Sequence, residues 1–157
     1  MQNNRDHTFP FIKALHVGVS VPNMEASIQW YQEMLGFTLV SDQFIPPLSA
    51  RIAFLEHGEF SVELFQIEGA VSLPEERRFP NLDIRTHGTK HVAYAVQDLH
   101  KLMTGLRAKN VDVALDIFTM EGDLVAFIRD NSGNLIELIQ KPAMFTQSCV
   151  SSIPEKS

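Results

Sequence analysis

The sequence predicts an α+β fold in which one βαβββ module occurs twice. The first observation behind this prediction is the order of a strand, a helix and three strands, which appears once in each half of the chain. The second is that short segments of the first half recur 73 to 75 residues later. These segments are Leu15-His16-Val17 with Lys90-His91-Val92, Ile52-Ala53-Phe54-Leu55 with Val125-Ala126-Phe127-Ile128, and Val62-Glu63-Leu64 with Ile136-Glu137-Leu138. Two copies at so long a period exclude a solenoid and indicate a duplicated half-domain that pairs with itself.

The first module is expected over residues 11–67. Residues 12–21 are rich in β-branched side chains and roughly alternate, which predicts a strand. Asn23 is placed to cap a helix over 24–35, where apolar residues recur at helical spacing, and Gly36 provides the stop. Three further strands are predicted over residues 37–45, 50–56 and 60–67.

Residues 68–88 are expected to connect the two modules. They contain two prolines and three arginines (Arg77, Arg78 and Arg85) and show no clear period. A stretch of this length without regular structure is usually a linker or a functional loop. The arginines are candidates for binding an anionic substrate, although a solvated basic loop is the simpler interpretation.

The second module, residues 89–141, repeats the pattern. A strand is predicted over 91–96 and an amphipathic helix over 98–110. Strands follow over 111–118, 124–129 and 135–140, the last after a turn cluster at 130–134. The polar ends, residues 1–10 and 142–157, are expected to be loose tails, the second of which contains the lone Cys149 as an inert thiol.

Composition limits the function. The chain of 157 residues is 45% apolar and 20% charged, as expected for a globular protein with a real core. Its net charge of −6 argues against a nucleic-acid surface, and its apolar runs are too short to span a membrane. A single cysteine excludes a disulfide and a cysteine-based metal site within the chain. The polar N-terminus predicts no signal peptide, so a cytoplasmic protein is expected.

The repeat draws attention to four polar residues on predicted strands: His16, Glu63, His91 and Glu137. Each His and each Glu recurs in the other half, and apolar residues flank the glutamates on both sides. Because neighbours on a strand face opposite ways, all four are expected on the sheet face away from the helices. Two imidazoles and two carboxylates would leave positions open for water or substrate on a bound metal. Taken one at a time, a core histidine or a solvent-facing glutamate is the simpler interpretation, and the pairs could also be remnants of a lost site.

Three stretches carry a resemblance to a known family: residues 15–37, 88–96 and 130–138, which include WYQEMLGF and DNSGNLIEL. Together they resemble the vicinal oxygen chelate superfamily, which contains glyoxalase I, methylmalonyl-CoA epimerase, extradiol dioxygenases, fosfomycin-resistance enzymes and metal-free bleomycin-binding proteins. The resemblance covers about residues 11–141 as one domain. It implies two βαβββ modules whose sheets curl into a partial barrel around a central cleft and a metal. It also implies a homodimer, in some members with modules paired across the subunit boundary.

By this resemblance His16, Glu63, His91 and Glu137 occupy all four metal-ligand positions, and the set is closest to that of glyoxalase I. The epimerase has an amide at the position of Glu63, so this chain departs from it there. Extradiol dioxygenases and fosfomycin-resistance enzymes use only the equivalents of His16, His91 and Glu137, so the presence of Glu63 favours isomerase or lyase chemistry. Glyoxalase I places a basic residue and an Asn where this chain has Ser20 and Ile67, which argues against glutathione as a substrate.

The resulting hypothesis is a metal-dependent lyase or isomerase of the glyoxalase type, acting on a small carbonyl or hydroxy-carbonyl compound through a metal-stabilised enediolate. Glu137 is favoured as the proton-transferring base, with Glu63 as the other candidate. Zn, Ni or Co is favoured, and Fe or Mn remains open. One alternative is a non-haem Fe(II) dioxygenase that uses only His16, His91 and Glu137. Another is a metal-free binding or resistance protein. No substrate-binding residue is assigned.

Overall fold

Each half of the chain forms one four-stranded mixed sheet with one helix packed against it. The computed structural model describes residues 12–145. The first module contains β1 (His16–Ser20), α1 (Met24–Leu35), β2 (Thr38–Ile45), β3 (Ala50–His57) and β4 (Phe60–Ile67). A short helix, α2 (Pro80–Asp83), lies in the connector, and the second module contains β5 (Val92–Val96), α3 (Leu99–Ala108), β6 (Asp112–Met120), β7 (Asp123–Arg129) and β8 (Leu135–Gln140).

The two sheets have the same topology, which confirms the predicted duplication. Their strand orders are β1-β4-β3-β2 and β5-β8-β7-β6. β1 pairs in parallel with β4 in the first sheet, and β5 pairs in parallel with β8 in the second. The other neighbouring strands of both sheets are antiparallel. The predicted α+β class with curled mixed sheets is therefore confirmed, and the sheets do not close into a barrel in the part of the chain described.

The first helix begins and ends where its capping residues predict. The side chain of Asn23 accepts a hydrogen bond from the backbone N–H of Ala26 at 2.9 Å. Gly36 terminates the helix in the left-handed conformation with φ of 71°, which few residues other than glycine adopt readily. In the second module, Asp98 caps α3 in the same way as Asn23 caps α1.

One hydrophobic core joins the two modules. It contains apolar side chains of both helices and of the sheet faces that they cover, including Met24, Leu64, Met103 and Leu138. The residues on either side of each glutamate of interest belong to this core: Val62, Leu64, Ile136 and Leu138. Because side chains alternate along a strand, Glu63 and Glu137 lie on the opposite face of their sheets.

The structure differs from the prediction mainly in the connector and at strand ends. Residues 75–78 form a 3-10 turn and residues 80–83 form α2, so the connector contains more structure than its composition predicts. The buried carboxylate of Asp83 orders the connector by forming ion pairs with Arg77 and Lys90. Strand β1 starts at His16 rather than at residue 12, and β5 starts just after His91.

At the C-terminal end, Pro142–Phe145 form a 3-10 turn within the expected tail. Cys149 and both outer tail segments lie outside the described residues. Among the helices of residues 12–145, none is long and apolar enough to cross a membrane.

Candidate functional site

The first of two His–Glu pairs lies on β1 and β4. Nε2 of His16 is 3.2 Å from Oε2 of Glu63. These strands are neighbours in the sheet, and Gly18 stands opposite Glu63 in the register. The ring of Phe54 meets the His16 imidazole edge to face at 5.7 Å between centroids. Packing against this ring restricts the rotation of the imidazole and orients it toward the carboxylate.

The second pair repeats this geometry at the start of β5 and on β8. Nε2 of His91 is 3.1 Å from Oε2 of Glu137. Ala93, another small residue, stands opposite Glu137, as Gly18 does opposite Glu63. The ring of Phe127 meets the His91 imidazole edge to face at 5.1 Å.

Phe54 and Phe127 occupy matching positions in the two modules. The structure places both against the histidines, each on the strand next to the glutamate's strand. They are separated by the same 73 residues that relate the two modules. This repeat offset was the signal that could have assigned them.

The geometry of each pair suits a metal half-site. Two donor atoms that each lie ~2.0–2.2 Å from one ion are about 3.0–3.5 Å apart, because the angle between them is near 90–110°. The His–Glu separations of 3.2 and 3.1 Å fall in this range. Both histidines are partly open to solvent, with side chains 35% and 28% exposed, whereas Glu137 is 8% exposed. The imidazoles therefore face outward while the carboxylates lie deeper in the sheet.

The four side chains do not meet within one chain. Across residues 12–145, no group of three or more His, Cys, Asp and Glu side chains lies close enough to hold one metal ion. The structure thus brings the predicted ligands together as two pairs, a first half-site of His16 and Glu63 and a second half-site of His91 and Glu137. Each half-site has one nitrogen and one oxygen donor, which is too few for a catalytic site by itself.

A cavity of about 1360 Å³ lies between the two modules and the connector. Of the four candidate ligands, only His91 lines it. Arg77, Arg78 and His87 also line it, whereas Arg85 does not. The three arginines of the connector therefore occupy different environments, which the sequence could not distinguish.

Comparisons with known proteins point to one family. The family model described as Glyoxalase/Bleomycin resistance protein/Dioxygenase superfamily matches residues 13–138. A lactoylglutathione lyase of Arabidopsis thaliana is 33% identical over 133 residues, which are 81% of this chain and 44% of that protein. The chain thus spans less than half the length of its plant relatives.

A bacterial relative matches along nearly its whole length. The lactoylglutathione lyase of Haemophilus influenzae is 28% identical over 135 residues, covering 82% of this chain and 93% of that protein. Among solved structures, a glyoxalase family protein from Enterococcus faecalis superposes with a TM-score of 0.69 at 22% identity, over 82% of this chain and 98% of that one. At this identity the superposition demonstrates a shared fold only.

Proposed function

Because the chain belongs to the glyoxalase, bleomycin resistance protein and dioxygenase superfamily, we propose that it is a metal-dependent lyase or isomerase of the glyoxalase type. Its substrate is a small carbonyl or hydroxy-carbonyl compound. The observation that carries this proposal is the duplicated His–Glu pair, which has nearly the same donor separation in both modules. The names of the relatives, lactoylglutathione lyases of plants and bacteria, support the same class of reaction.

The complete site is proposed to form between two copies of the chain. The first half-site of one subunit would face the second half-site of the other and supply two imidazoles and two carboxylates. Two observations support this arrangement. Each pair lies on the sheet face away from the shared core, and no third donor accompanies either pair within residues 12–145. A divalent ion with nitrogen and oxygen ligands, Zn, Ni or Co before Fe or Mn, suits this donor set.

A divalent ion held by these residues would act as a Lewis acid and stabilise negative charge on a substrate carbonyl oxygen. The protein's own part is the transfer of the proton from the adjacent carbon. Glu137 is the proposed base, since its carboxylate is largely shielded from water in the second half-site. It takes the proton from one carbon and returns it to the neighbouring one, which yields an isomerised product. Glu63, in the equivalent position, is the second candidate.

Glutathione is not proposed as an obligatory part of the substrate. The resemblance to glyoxalase I calls for a basic residue and an Asn at the positions of Ser20 and Ile67, and neither is present. An uncharged Ile67 offers no hydrogen bond to a peptide-like ligand.

The dioxygenase alternative is less well supported. A site of two histidines and one carboxylate would use His16, His91 and Glu137 and leave Glu63 without a role. In the structure, however, Glu63 contacts its histidine at 3.2 Å, in the same manner as Glu137 contacts His91 at 3.1 Å. A shared geometry favours a shared role for the two glutamates.

The test begins with protein purified without added metal, which is analysed for its elements and then loaded separately with Zn, Ni, Co, Mn or Fe. Turnover of methylglyoxal is followed with and without glutathione, and oxygen consumption is followed with catechols. The proposal expects bound metal and isomerisation with one of these ions. His16→Ala and His91→Ala are expected to lose metal, whereas His100→Ala, which removes an exposed histidine on α3, is the matched control. Absence of bound metal, with no rescue by any ion, would overturn the proposal.

A further inference from the structure

Arg78 is an exposed residue of the connector, and its charge has no partner among residues 12–145. Its neighbour Arg77 donates from Nε to the buried Asp83 at 3.0 Å and from a terminal nitrogen to the carbonyl of Thr89 at 2.6 Å. Among the ion pairs and hydrogen bonds formed within residues 12–145, none involves the guanidinium of Arg78. Arg77 therefore has a structural role, while Arg78 presents a free cation to the large cavity that it lines.

The position of Arg78 is held by contacts to the second module. Its carbonyl oxygen accepts a hydrogen bond of 2.6 Å from Nε of Arg129, which fixes the backbone. Its side chain rests on Gly133, where an added β-carbon would come within 2.9 Å of Nε of Arg78. Gly133 has φ of 90°, so the tight turn favours glycine on conformational grounds as well. The guanidinium is thus seated on the turn that precedes β8.

The same turn contains an unused hydrogen-bonding group. Oγ of Ser132 is buried and has no partner among the described residues, although Ser132 lines the cavity. The turn itself does not need this hydroxyl, because Oδ1 of Asp130 binds the backbone N–H groups of Ser132 and Asn134, each at 2.9 Å. Buried hydroxyls are normally paired, so the Ser132 hydroxyl is a spare donor on the turn against which the Arg78 side chain packs.

The charge near this point is positive, although the protein as a whole carries −6. Arg77 and Lys90 share the carboxylate of Asp83, and Asp130 lies in the turn beside Arg78, so the three cations and two carboxylates leave one positive charge in excess. Glu75 and Glu76, on the same turn as Arg78, do not line the cavity; Glu68 is the acidic residue that does. An anion entering the cavity would therefore meet its most favourable surroundings at Arg78.

We propose that Arg78 and Ser132 form a binding subsite for the carboxylate group of a ligand in this cavity. A guanidinium binds a carboxylate through two parallel N–H···O bonds, and rotation of the Ser132 side chain toward the cavity would supply its hydroxyl as a third donor. His91 lines the same cavity, so a small acid held at Arg78 would extend toward the second half-site. That this acid is the enzyme's substrate rests on the proposed function, whereas anion binding itself does not.

The direct test uses the metal-free chain of all 157 residues, labelled with ¹⁵N and titrated with acetate and, separately, with inorganic phosphate at constant ionic strength. Acetate is expected to shift the amide signals of Ser132 and Gly133 and the Nε–H signal of Arg78. Arg78→Ala should weaken acetate binding about tenfold or more, since it removes the charged pair of bonds. Ser132→Ala should weaken it about threefold without loss of thermal stability, because this hydroxyl makes no bond in the free protein.

Arg85→Ala is the matched control. It removes an exposed cation from the same connector, outside the cavity, and should leave acetate binding unchanged. An equal loss of binding in Arg85→Ala and Arg78→Ala would overturn the subsite, as would no response to acetate in the unmodified protein. A response to phosphate alone would contradict its assignment to a carboxylate.

A second measurement connects the subsite to turnover. Arg78→Ala should raise KM about tenfold for a carbonyl substrate that bears a carboxylate and leave KM unchanged for its methyl ester. If acetate binding depends on Arg78 but no carbonyl compound is turned over with any metal, the subsite stands and the proposed function fails. If the protein turns over both compounds and Arg78→Ala raises KM equally for the acid and for the ester, the proposed function stands and the subsite is wrong.

Discussion

The hydroxyl of Tyr31 donates a hydrogen bond to Oδ2 of Asp130 at 3.1 Å, and this bond joins helix α1 of the first module to the turn before β8 of the second. Both residues are buried, with exposed fractions of 1% and 3%. The other oxygen of Asp130 accepts the hydrogen bonds that hold the turn together. One carboxylate thus orders the turn on which Arg78 rests and also fixes its position relative to the first module.

Replacing Tyr31 with Phe is expected to lower the free energy of unfolding by about 1–2 kcal/mol at neutral pH. The loss is moderate because Asp130 keeps its bonds to the backbone N–H groups of the turn and to Nδ2 of Asn134 at 2.9 Å. Chemical denaturation measures the difference. A variant as stable as the unmodified protein would show that the bond contributes nothing to module packing.

The same variant is expected to change the alkaline pH dependence of stability. Burial, and then the charge of Asp130, raise the pKa of Tyr31 well above its ordinary value of 10.0. The unfolded chain releases this proton near pH 10 while the folded chain keeps it, so stability is full below pH 10 and falls above it. The unmodified protein should lose up to about 1.4 kcal/mol per pH unit more than Tyr31→Phe in this range. If the free energy of unfolding falls equally steeply with pH for both proteins above pH 10, the pKa of Tyr31 is not raised by folding.

Asp83→Asn should destabilise the connector. The carboxylate is 1% exposed and binds both Arg77 and Lys90, so the amide leaves two cations without their shared partner. We expect the free energy of unfolding to fall by about 2 kcal/mol. This is less than the cost of breaking a fully buried ion pair, because Arg77 is partly open to solvent. Asp116→Asn, which removes an exposed partner of Arg107, is the control and should change the unfolding free energy by less than about 0.5 kcal/mol. Equal effects of the two variants would mean that Asp83 does not hold the connector.

Glu137→Gln should reduce kcat by about 10² to 10⁴ because the amide cannot accept a proton, while part of the bound metal is retained through its oxygen. Glu63→Gln should have a smaller effect on kcat if Glu137 is the base. Metal content and turnover are measured on the same samples, with Glu59→Gln, an exposed carboxylate at the turn between β3 and β4, as the control. Full turnover by Glu137→Gln would make the assigned role wrong.

Co-expression of two inactive variants tests whether the site is shared between subunits. A dimer of His16→Ala with His91→Ala carries both defects in one shared site and none in the other, so random pairing should restore about a quarter of the unmodified activity. Co-expression of His91→Ala with Glu137→Gln, both in the second half-site, should restore none. Activity from a purified monomer, or no recovery in the first mixture, would exclude the shared arrangement.

Local patterns were sufficient to predict much of the fold. The helix over Met24–Leu35 and the strand over Phe60–Ile67 agree with the prediction at both ends, since capping residues and turns mark their limits. The repeat of one His and one Glu in each βαβββ module also agrees with the contacts observed. Each His is close to the Glu of its own module because β1 pairs with β4 and β5 pairs with β8. The connector was predicted less well because its order depends on Asp83, whose partner Lys90 belongs to the second module.

By itself, the sequence determined the duplicated module, the ends of the first helix and the His–Glu composition of each half-site. These depend on residue periodicity and on neighbouring strands within one module. Only the tertiary structure decided that the four candidate ligands form two separate pairs in one chain, and that Arg77 is paired while Arg78 has no partner in the described part of the chain. The physical reason is that these outcomes depend on how the two modules and the connector pack together, through contacts such as Tyr31 with Asp130, 99 residues apart, which no local period encodes.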